Sequence, residues 1–507
     1  MNHWMILPIL FPALVAPLLA LAVRHDIVLA RVFSVGSTAL LLLLGLFHLN
    51  MAGDGITRTY QLGDWPAPFG IVLVLDRLAA LMLVLTAALG LCVQLYAING
   101  WDKRGQHFHP LFQFQLMGIN GAFLTGDLFN LFVFFEVLLI ASYGLLVHGG
   151  GADRMRAGLQ YVTINLFGST LFLLGLGLIY SVTGTLNMAD FAIKVPQVAS
   201  GNHAMLSCGG MLLLIVFGLK SALFPLQFWL PGTYSQAPAP VAALFAILTK
   251  VGAYAIMRLF ILAFGESAGP FQWLAVPWLL PAASVTLAIG MVGVFGARSL
   301  SQQASFASLA SMGLLLIAVG AFTPQSVSAS LYYLIQSTIG IAALFLVIDL
   351  IVARRPGEGD ALTESPRFQN QGLIASLFFL IAISVIGLPP LSGFIGKLLI
   401  LDSVRSIEGG GWLWALILAT TLLGVIGFAA SGSQLFWKSL SQPGKLSPTR
   451  TVPLALPVVA IGLLITGLFM FTVLAGPITA YLDATVAQLF DSQQYIDAVL
   501  SPSQGKL

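Results

Sequence analysis

Lys220 to Arg258 reads KSALFPLQFWLPGTYSQAPAPVAALFAILTKVGAYAIMR. No continuous helix can run through it, because Pro225, Pro231, Pro238 and Pro240 each remove a backbone donor. The break opens beside Lys220, and an apolar segment then resumes with Lys250 far from either end. A second such place follows at 385–401, VIGLPPLSGFIGKLLIL, where Pro389, Pro390, Gly393 and Gly396 precede or flank Lys397. Irregular backbone at membrane depth is tolerated only where it is buried in protein or lines a polar cavity. Interrupted spans in corresponding places of two halves point to an ion pathway between inverted repeats.

Outward from these segments the chain stays apolar. Its 507 residues carry 22 basic and 19 acidic side chains, 8% charged, and 58% are hydrophobic. Mean hydropathy is +0.95. A soluble domain carries about 25% charge, so a soluble globular protein, a disordered chain and a nucleic-acid binder are excluded. The ten-residue alternating segments of an outer-membrane barrel are absent. What remains is an all-α polytopic membrane protein. Cys92 and Cys208 lie in apolar runs with no metal or disulfide spacing. His3, His25, His48, His107, His109, His148 and His203 fall near loops or span ends without ligand-like spacing, and no metal is expected. The start, MNHWMILPILFPALV, has no cation ahead of its apolar stretch and reads as a retained first span.

Fourteen spans are predicted, at 4–23, 28–49, 70–99, 109–125, 128–147, 158–182, 204–222, 238–264, 271–295, 305–322, 327–353, 371–401, 411–437 and 452–475. The stretches 50–69, 183–203 and 354–370 read as loops, and 476–507 as a surface tail. With the N-terminus outside, the inner loops hold Arg24, Arg31, Lys103, Arg104, Arg154, Arg156, Arg298, Arg354, Arg355, Arg367, Lys438, Lys445 and Arg450. The outer loops and tail hold only Arg58, Lys194, Arg405 and Lys506. This asymmetry predicts an even number of spans with both termini outside.

Five cations remain inside spans: Arg77, Lys220, Lys250, Arg258 and Lys397; so do the acids Asp76, Glu136 and Asp349. A charge at mid-membrane costs about 2.5–3.5 kcal/mol on insertion scales. Glu136, Lys220, Lys250 and Lys397 are too deep to reach water, and they form a candidate chain of protonatable groups. Burial disfavours a lysine's charged form and a nearby carboxylate restores it, so Glu136 with Lys220 is the natural switchable pair. Arg258, nearer its span end, is expected to snorkel. Asp76 and Arg77 read as an interfacial anchor, Asp349 as a group touching headgroups or inner water, and Asp127 as a helix cap. Lys220 and Lys397 lie five spans apart, and an odd offset inverts topology. Two inverted five-helix units are therefore predicted, spans 4–8 and 9–13, with breaks at spans 7 and 12. The corresponding segments are an N-terminal three-helix part at 1–108, a first repeat at 109–264, a second at 265–437, and a last span with its tail at 438–507.

The segments around Glu136 (GDLFNLFVFFEVLLIASYGLLV), from Lys220 to Arg258, and around Lys397 resemble the antiporter-like subunits shared by respiratory complex I and Mrp-type cation/proton antiporters. Within that family FNLFVFFEVLLIASYGLLV and WLPGTYSQAPAPV are most similar to the D-type subunits of multisubunit Mrp (Mnh or Pha) antiporters. The resemblance implies a proton-translocating, cofactor-free subunit in a bacterial inner membrane. It would work with other membrane subunits to exchange H⁺ for Na⁺ or K⁺. It assigns the proton pathway to Glu136, Lys220, Lys250 and Lys397. Many members have histidine where this chain has Gln227, and histidine or lysine on the eleventh span, where it has Gln336. Water with Gln227, Tyr332, Tyr333, Gln336 and Ser337 as hydrogen-bonding positions would then link Lys250 to Lys397. Two other readings stay open: a proton-pumping subunit of complex I or a membrane hydrogenase, and a scaffold whose buried charges only hold a complex together.

Overall fold

The computed structural model describes residues 3–355, 357–364, 366–438 and 454–501; the loop cations Lys445, Arg450 and Lys506 lie outside the described residues. The helices in chain order are α1 (Leu7–Leu21), α2 (Ile27–Ala52), α3 (Arg77–Ala97), α4 (Phe108–Leu124), α5 (Leu128–Leu146), α6 (Ala152–Thr183), α7 (Met188–Lys194), α8 (His203–Lys220), α9 (Trp229–Gln236) and α10 (Ala239–Leu262). They continue with α11 (Val276–Gly296), α12 (Leu300–Gly320), α13 (Pro324–Val352), α14 (Gln371–Ile386), α15 (Ser392–Ser403), α16 (Gly410–Gly432), α17 (Ala455–Val473), α18 (Ala475–Phe490) and α19 (Ser492–Leu500). Among the described residues eleven helices are long and apolar enough to cross a membrane, and α1 and α14 are shorter apolar helices. At the centre α10 is buried at every residue from Pro240 to Leu262, and it packs against α8, α12 and α13. The helices α2, α6, α11, α16 and α17 carry apolar side chains outward, as a lipid-facing shell requires.

Several sequence expectations are corrected. The chain is not purely helical: β1 (Arg58–Gln61) pairs antiparallel with β2 (Val72–Leu75). The run Val72–Leu75 was expected inside the third span, but its buried aliphatic residues pair as a strand, and the Asp76 side chain caps α3 through the Ala79 N–H. The expected loop at 183–203 contains α7, capped by Asn187. The expected surface tail folds into α18 and α19, which bury Leu482, Thr485, Val486, Leu489, Tyr495 and Val499 at helical spacing. Arg258 does not snorkel: its guanidinium forms a two-pronged ion pair with Asp76, whose Oδ1 is 2.9 Å from Nη2, and both groups are buried. Asp76 is thus a buried cap and counter-ion, not an interfacial anchor. The expected Asp127 cap is present, with Oδ1 2.8 Å from the Asn130 N–H.

The same contacts occur twice at one constant residue interval. Gly118 and Gly121 of α4 lie against Leu138 and Phe134 of α5; Gly290 and Gly293 of α11 lie against Ala310 and Phe306 of α12. A Cβ on Gly118 would come within 2.6 Å of the Leu138 nitrogen, and one on Gly290 within 2.5 Å of the Ala310 nitrogen. The caps Asp127 and Ser299 stand at the same interval, and each closes its helix onto the third residue beyond. Position 308, a serine, is the counterpart of Glu136 in this register.

Candidate proton pathway

The two breaks have one backbone design. At the first, Ala222 (φ +54°) donates to the Leu219 carbonyl at 3.1 Å, and Leu223 donates to Gly218 at 2.8 Å. At the second, Gly387 (φ +82°) donates to Ser384 at 3.2 Å, and Leu388 donates to Ile383 at 3.0 Å. Each is a left-handed residue closing a helix with paired 5→2 and 6→1 bonds. Glycine at 387 suits that φ, whereas alanine at 222 carries a Cβ there. The chain re-enters helix at Trp229 and at Ser392. Pro225, Pro389 and Pro390 lie in the gaps, and Pro231 falls in the first turn of α9, where a missing N–H costs no helical bond.

Lys220 is the last residue of α8, and its side chain turns into the protein. Its ammonium donates to Asn165 Oδ1 at 2.9 Å and lies 6.0 Å from the Phe135 ring centre. Glu136, half-buried on α5, accepts a hydrogen bond from Ser169 Oγ. No ion pair joins Glu136 to Lys220 among the described residues, which leaves a gap between them. Asn165 and Ser169, one turn apart on α6, fill that gap. The Ser169 hydroxyl also donates to the Asn165 carbonyl at 3.0 Å. Tyr161, one turn earlier, exposes its carbonyl to Asn165 Nδ2 at 2.8 Å and pairs its hydroxyl with Ser142 at 3.1 Å. Ser169, bonded to Glu136, and Asn165, bonded to Lys220, therefore stand between the two charges on one face of α6, a face the sequence reading does not single out. The signal was present: Tyr161, Asn165 and Ser169 recur every fourth residue in an otherwise apolar span.

Lys250 is fully buried, and among the described residues its ammonium has no hydrogen-bond partner. The same holds for Thr249 Oγ1, Ser221 Oγ, Ser308 Oγ and both amide atoms of Gln336. These residues sit on α10, just after α8, and on α12 and α13, helices that pack against α10, which carries Lys250. Buried polar atoms without a protein partner are positions where ordered water can bind. The expected hydrogen-bonding positions divide. Gln336 is fully buried with neither amide atom partnered, and Gln227 Oε1 is similarly unpartnered. Tyr332 instead gives its hydroxyl to the Phe471 carbonyl of α17 at 2.7 Å, and Ser337 gives its own to Leu334 at 3.2 Å. Tyr333 is buried against Gly396 of α15.

Lys397 rises from α15 and reaches back across the break. Its ammonium donates to the Ile386 carbonyl, the last residue of α14, and to Thr421 Oγ1 of α16 at 2.8 Å. The carbonyl end of a helix carries partial negative charge and favours a cation. Ser384 and Ser392 on either side of the gap keep buried hydroxyls without a protein partner among the described residues. Asp349, expected to touch headgroups or inner water, lines a cavity and is held there by protein donors. It receives the Tyr96 hydroxyl at 2.7 Å and the Trp101 indole N–H at 2.8 Å, both on Oδ2.

Residues 125–426, which hold Glu136, Lys220, Lys250 and Lys397, match the family model described as NADH:quinone oxidoreductase/Mrp antiporter, TM. The D-type subunit of a probable K(+)/H(+) antiporter of Rhizobium meliloti is 38% identical over 99% of this chain and 98% of its own length. The chain belongs to the NADH:quinone oxidoreductase/Mrp antiporter family. Within that family the D-type subunit of a Na(+)/H(+) antiporter of Bacillus subtilis is also 38% identical, over 99% of this chain and all of the relative. Among solved structures, a chain in the Mrp complex from Dietzia sp. has 27% identity and a TM-score of 0.87, covering 99% of this chain and 100% of that one. A chain of respiratory complex I from Thermus thermophilus shares the family's fold at a TM-score of 0.79 and 24% identity, covering 96% of this chain and 99% of that one.

Proposed function

We propose that this chain is the D-type, proton-conducting subunit of a multisubunit cation/proton antiporter, exchanging H⁺ for Na⁺ or K⁺. The observation that carries the reading is a buried lysine and a glutamate set on either side of one polar face of α6, Glu136 bonded to Ser169 and Lys220 to Asn165, with no ion pair to another residue for either among the described residues. A carboxylate and an ammonium on either side of one polar face bear on each other's charge when either changes its proton. The pathway continues through Lys250 and the hydrated polar atoms near Gln336 to Lys397. Coupling to cation movement requires that occupancy at one site shift protonation at another. That coupling is assigned to the assembled complex with its other membrane subunits.

The same proposal places fourteen spans in a bacterial inner membrane: the eleven long helices together with α1, α4 and the broken pair α14–α15. The loop cations put both termini on the outer side. The doubled glycine contacts, caps and break geometry support inverted repeats at 109–264 and 265–437, between an N-terminal part at 1–108 and the last span and tail at 438–507. The direct test is antiport in everted vesicles carrying the whole complex, read by a pH-sensitive dye on addition of NaCl or KCl. Cation-induced pH change, lost in Glu136→Gln and Lys220→Ala at equal assembly, supports the reading. A wild-type response that survives both substitutions makes the pair structural. Proton movement seen only with an electron donor favours the complex I-like alternative.

A further inference from the structure

We propose, resting on the reading above, that a cavity on the arginine-rich face is the aqueous mouth of the proton pathway and that Asp349 is the group exchanging protons with water there. The cavity has a volume of 460 Å³ and is lined by Tyr96, Trp101, Tyr234, Ser235, Ser301 and Asp349, among others. The Asp349 carboxylate sits in its wall with one oxygen held by two neutral donors, Tyr96 and Trp101. Charged groups surround it: Arg104, Arg154 and Asp360 line the same cavity, and Arg354 lies one turn on. None makes an ion pair with Asp349 among the described residues. Arg104 stacks on the Trp101 ring at 3.6 Å, and Arg154 and Arg354 bond backbone carbonyls. A carboxylate held by neutral donors beside water can take up and release a proton without breaking a salt bridge.

A polar track leads inward from this cavity. Ser301 lines it, and Ser305 and Ser308 follow on one face of α12 at helical spacing. Ser308 lies about 10 Å deeper than Ser301 at 1.5 Å per residue. Its hydroxyl is fully buried and has no partner among the described residues. The cavity wall also includes Ala239, the first residue of α10, and Lys250 lies about 16 Å further along that helix. Ser308 and Lys250 thus lie inward of the cavity on α12 and α10, helices that pack against each other and against α13.

The test uses the assembled complex in everted vesicles. Asp349→Asn should lower cation-driven proton movement at least about tenfold and flatten its pH profile, while Asp349→Glu retains most of it. In a background with Cys92 and Cys208 replaced by alanine, Ser235→Cys in the cavity wall should react with a membrane-impermeant thiosulfonate in everted but not right-side-out vesicles, and reaction should block transport. Full transport in Asp349→Asn, or labelling of Ser235→Cys that leaves transport intact or occurs only from the other side, overturns this inference. If Glu136→Gln and Lys220→Ala stop transport in those same preparations, the antiporter reading stands and only the mouth is misplaced. If Asp349→Asn fails to assemble, the Ser235→Cys result decides alone.

Discussion

The two broken helices share a backbone device but hold their lysines differently. In the first half Lys220 precedes the break and is held by side chains: Asn165 directly, with Ser169 and Glu136 beyond. In the second half Lys397 follows the break and is held by the Ile386 carbonyl and the Thr421 hydroxyl. The interval relating the halves puts Ser308 opposite Glu136, so the second half lacks the carboxylate as well. The difference teaches what each lysine can do. Side chains can rearrange when Glu136 changes its proton, so on the proposed pathway Lys220 is the switched lysine. A helix-end carbonyl is a fixed dipole, so on the proposed pathway Lys397 is the lysine that receives a proton from a site switched elsewhere.

This comparison breaks first at the lysines. Lys220→Ala and Glu136→Gln should each lower cation-driven proton movement by on the order of 100-fold, as loss of a proton-transfer group does. Lys397→Arg should be more damaging than Lys220→Arg: a guanidinium never gives up its proton, so it cannot receive one, whereas at position 220 it still presents a cation to Glu136. Equal loss in both arginine variants, measured in everted vesicles at matched assembly, would erase the distinction between switched and receiving lysines.

The next largest effect separates the supporting residues. Asn165→Leu removes a hydrogen bond to a charged group, worth about 1.5–3 kcal/mol, and should slow transport roughly tenfold or more. Thr421→Val leaves the Ile386 carbonyl on Lys397 and should cost about 1 kcal/mol, a fewfold change. A larger loss in Thr421→Val than in Asn165→Leu would reverse the comparison.

What the sequence made legible follows from the cost of charge in lipid. Glu136, Lys220, Lys250 and Lys397 stand out because a mid-span charge needs a reason, and the breaks stand out because proline removes donors. Asn165, Ser169, Ser308 and Thr421 were passed over because hydroxyls and amides are ordinary in membrane helices, and only partners give them a role. Val72–Leu75 misled because a short buried aliphatic run has no period that separates strand from helix. The tail misled for the opposite reason: α18 and α19 are amphipathic and cover protein, so their mean polarity resembled a surface segment. Arg258 near a span end looked free to reach water, but Asp76, almost two hundred residues away, was invisible as its partner.

That pair supplies a contrast with the lysines, since it is fully matched and belongs to packing. Arg258→Met strands a buried carboxylate and should destabilise the purified complex by about 3–5 kcal/mol. Adding Asp76→Asn should recover part of that loss, although the Ala79 cap is weakened as well. Transport per assembled complex should remain near wild type. A stable Arg258→Met complex without transport would move Arg258 into the pathway and blur the line between charges that hold and charges that carry.

The smallest expected effect lies at the rim, where titration should alter stability and leave the relay alone. His148 follows α5, with Nε2 2.8 Å from the Trp101 carbonyl, and burial is the leading cause of its lowered pKa. A folded pKa below the unfolded value contributes stability above the unfolded value, near pH 6.5, which is lost as pH falls. Burial pushes the neighbouring Asp102 carboxyl up, but hydrogen bonds from His109 and Arg31 outweigh it and bring the group to about 2. Its stabilisation is likewise present above the ordinary carboxylate range and lost only as pH falls through that range toward 2. Between pH 7.5 and 6 Asp102 stays ionised, so the His148 term can be read without it. The thermal midpoint should fall by about 1 °C more in wild type than in His148→Asn over that interval. An identical fall in both proteins would remove His148 from the account. A parallel change in transport per complex would show that the rim and the Lys220 relay are not independent.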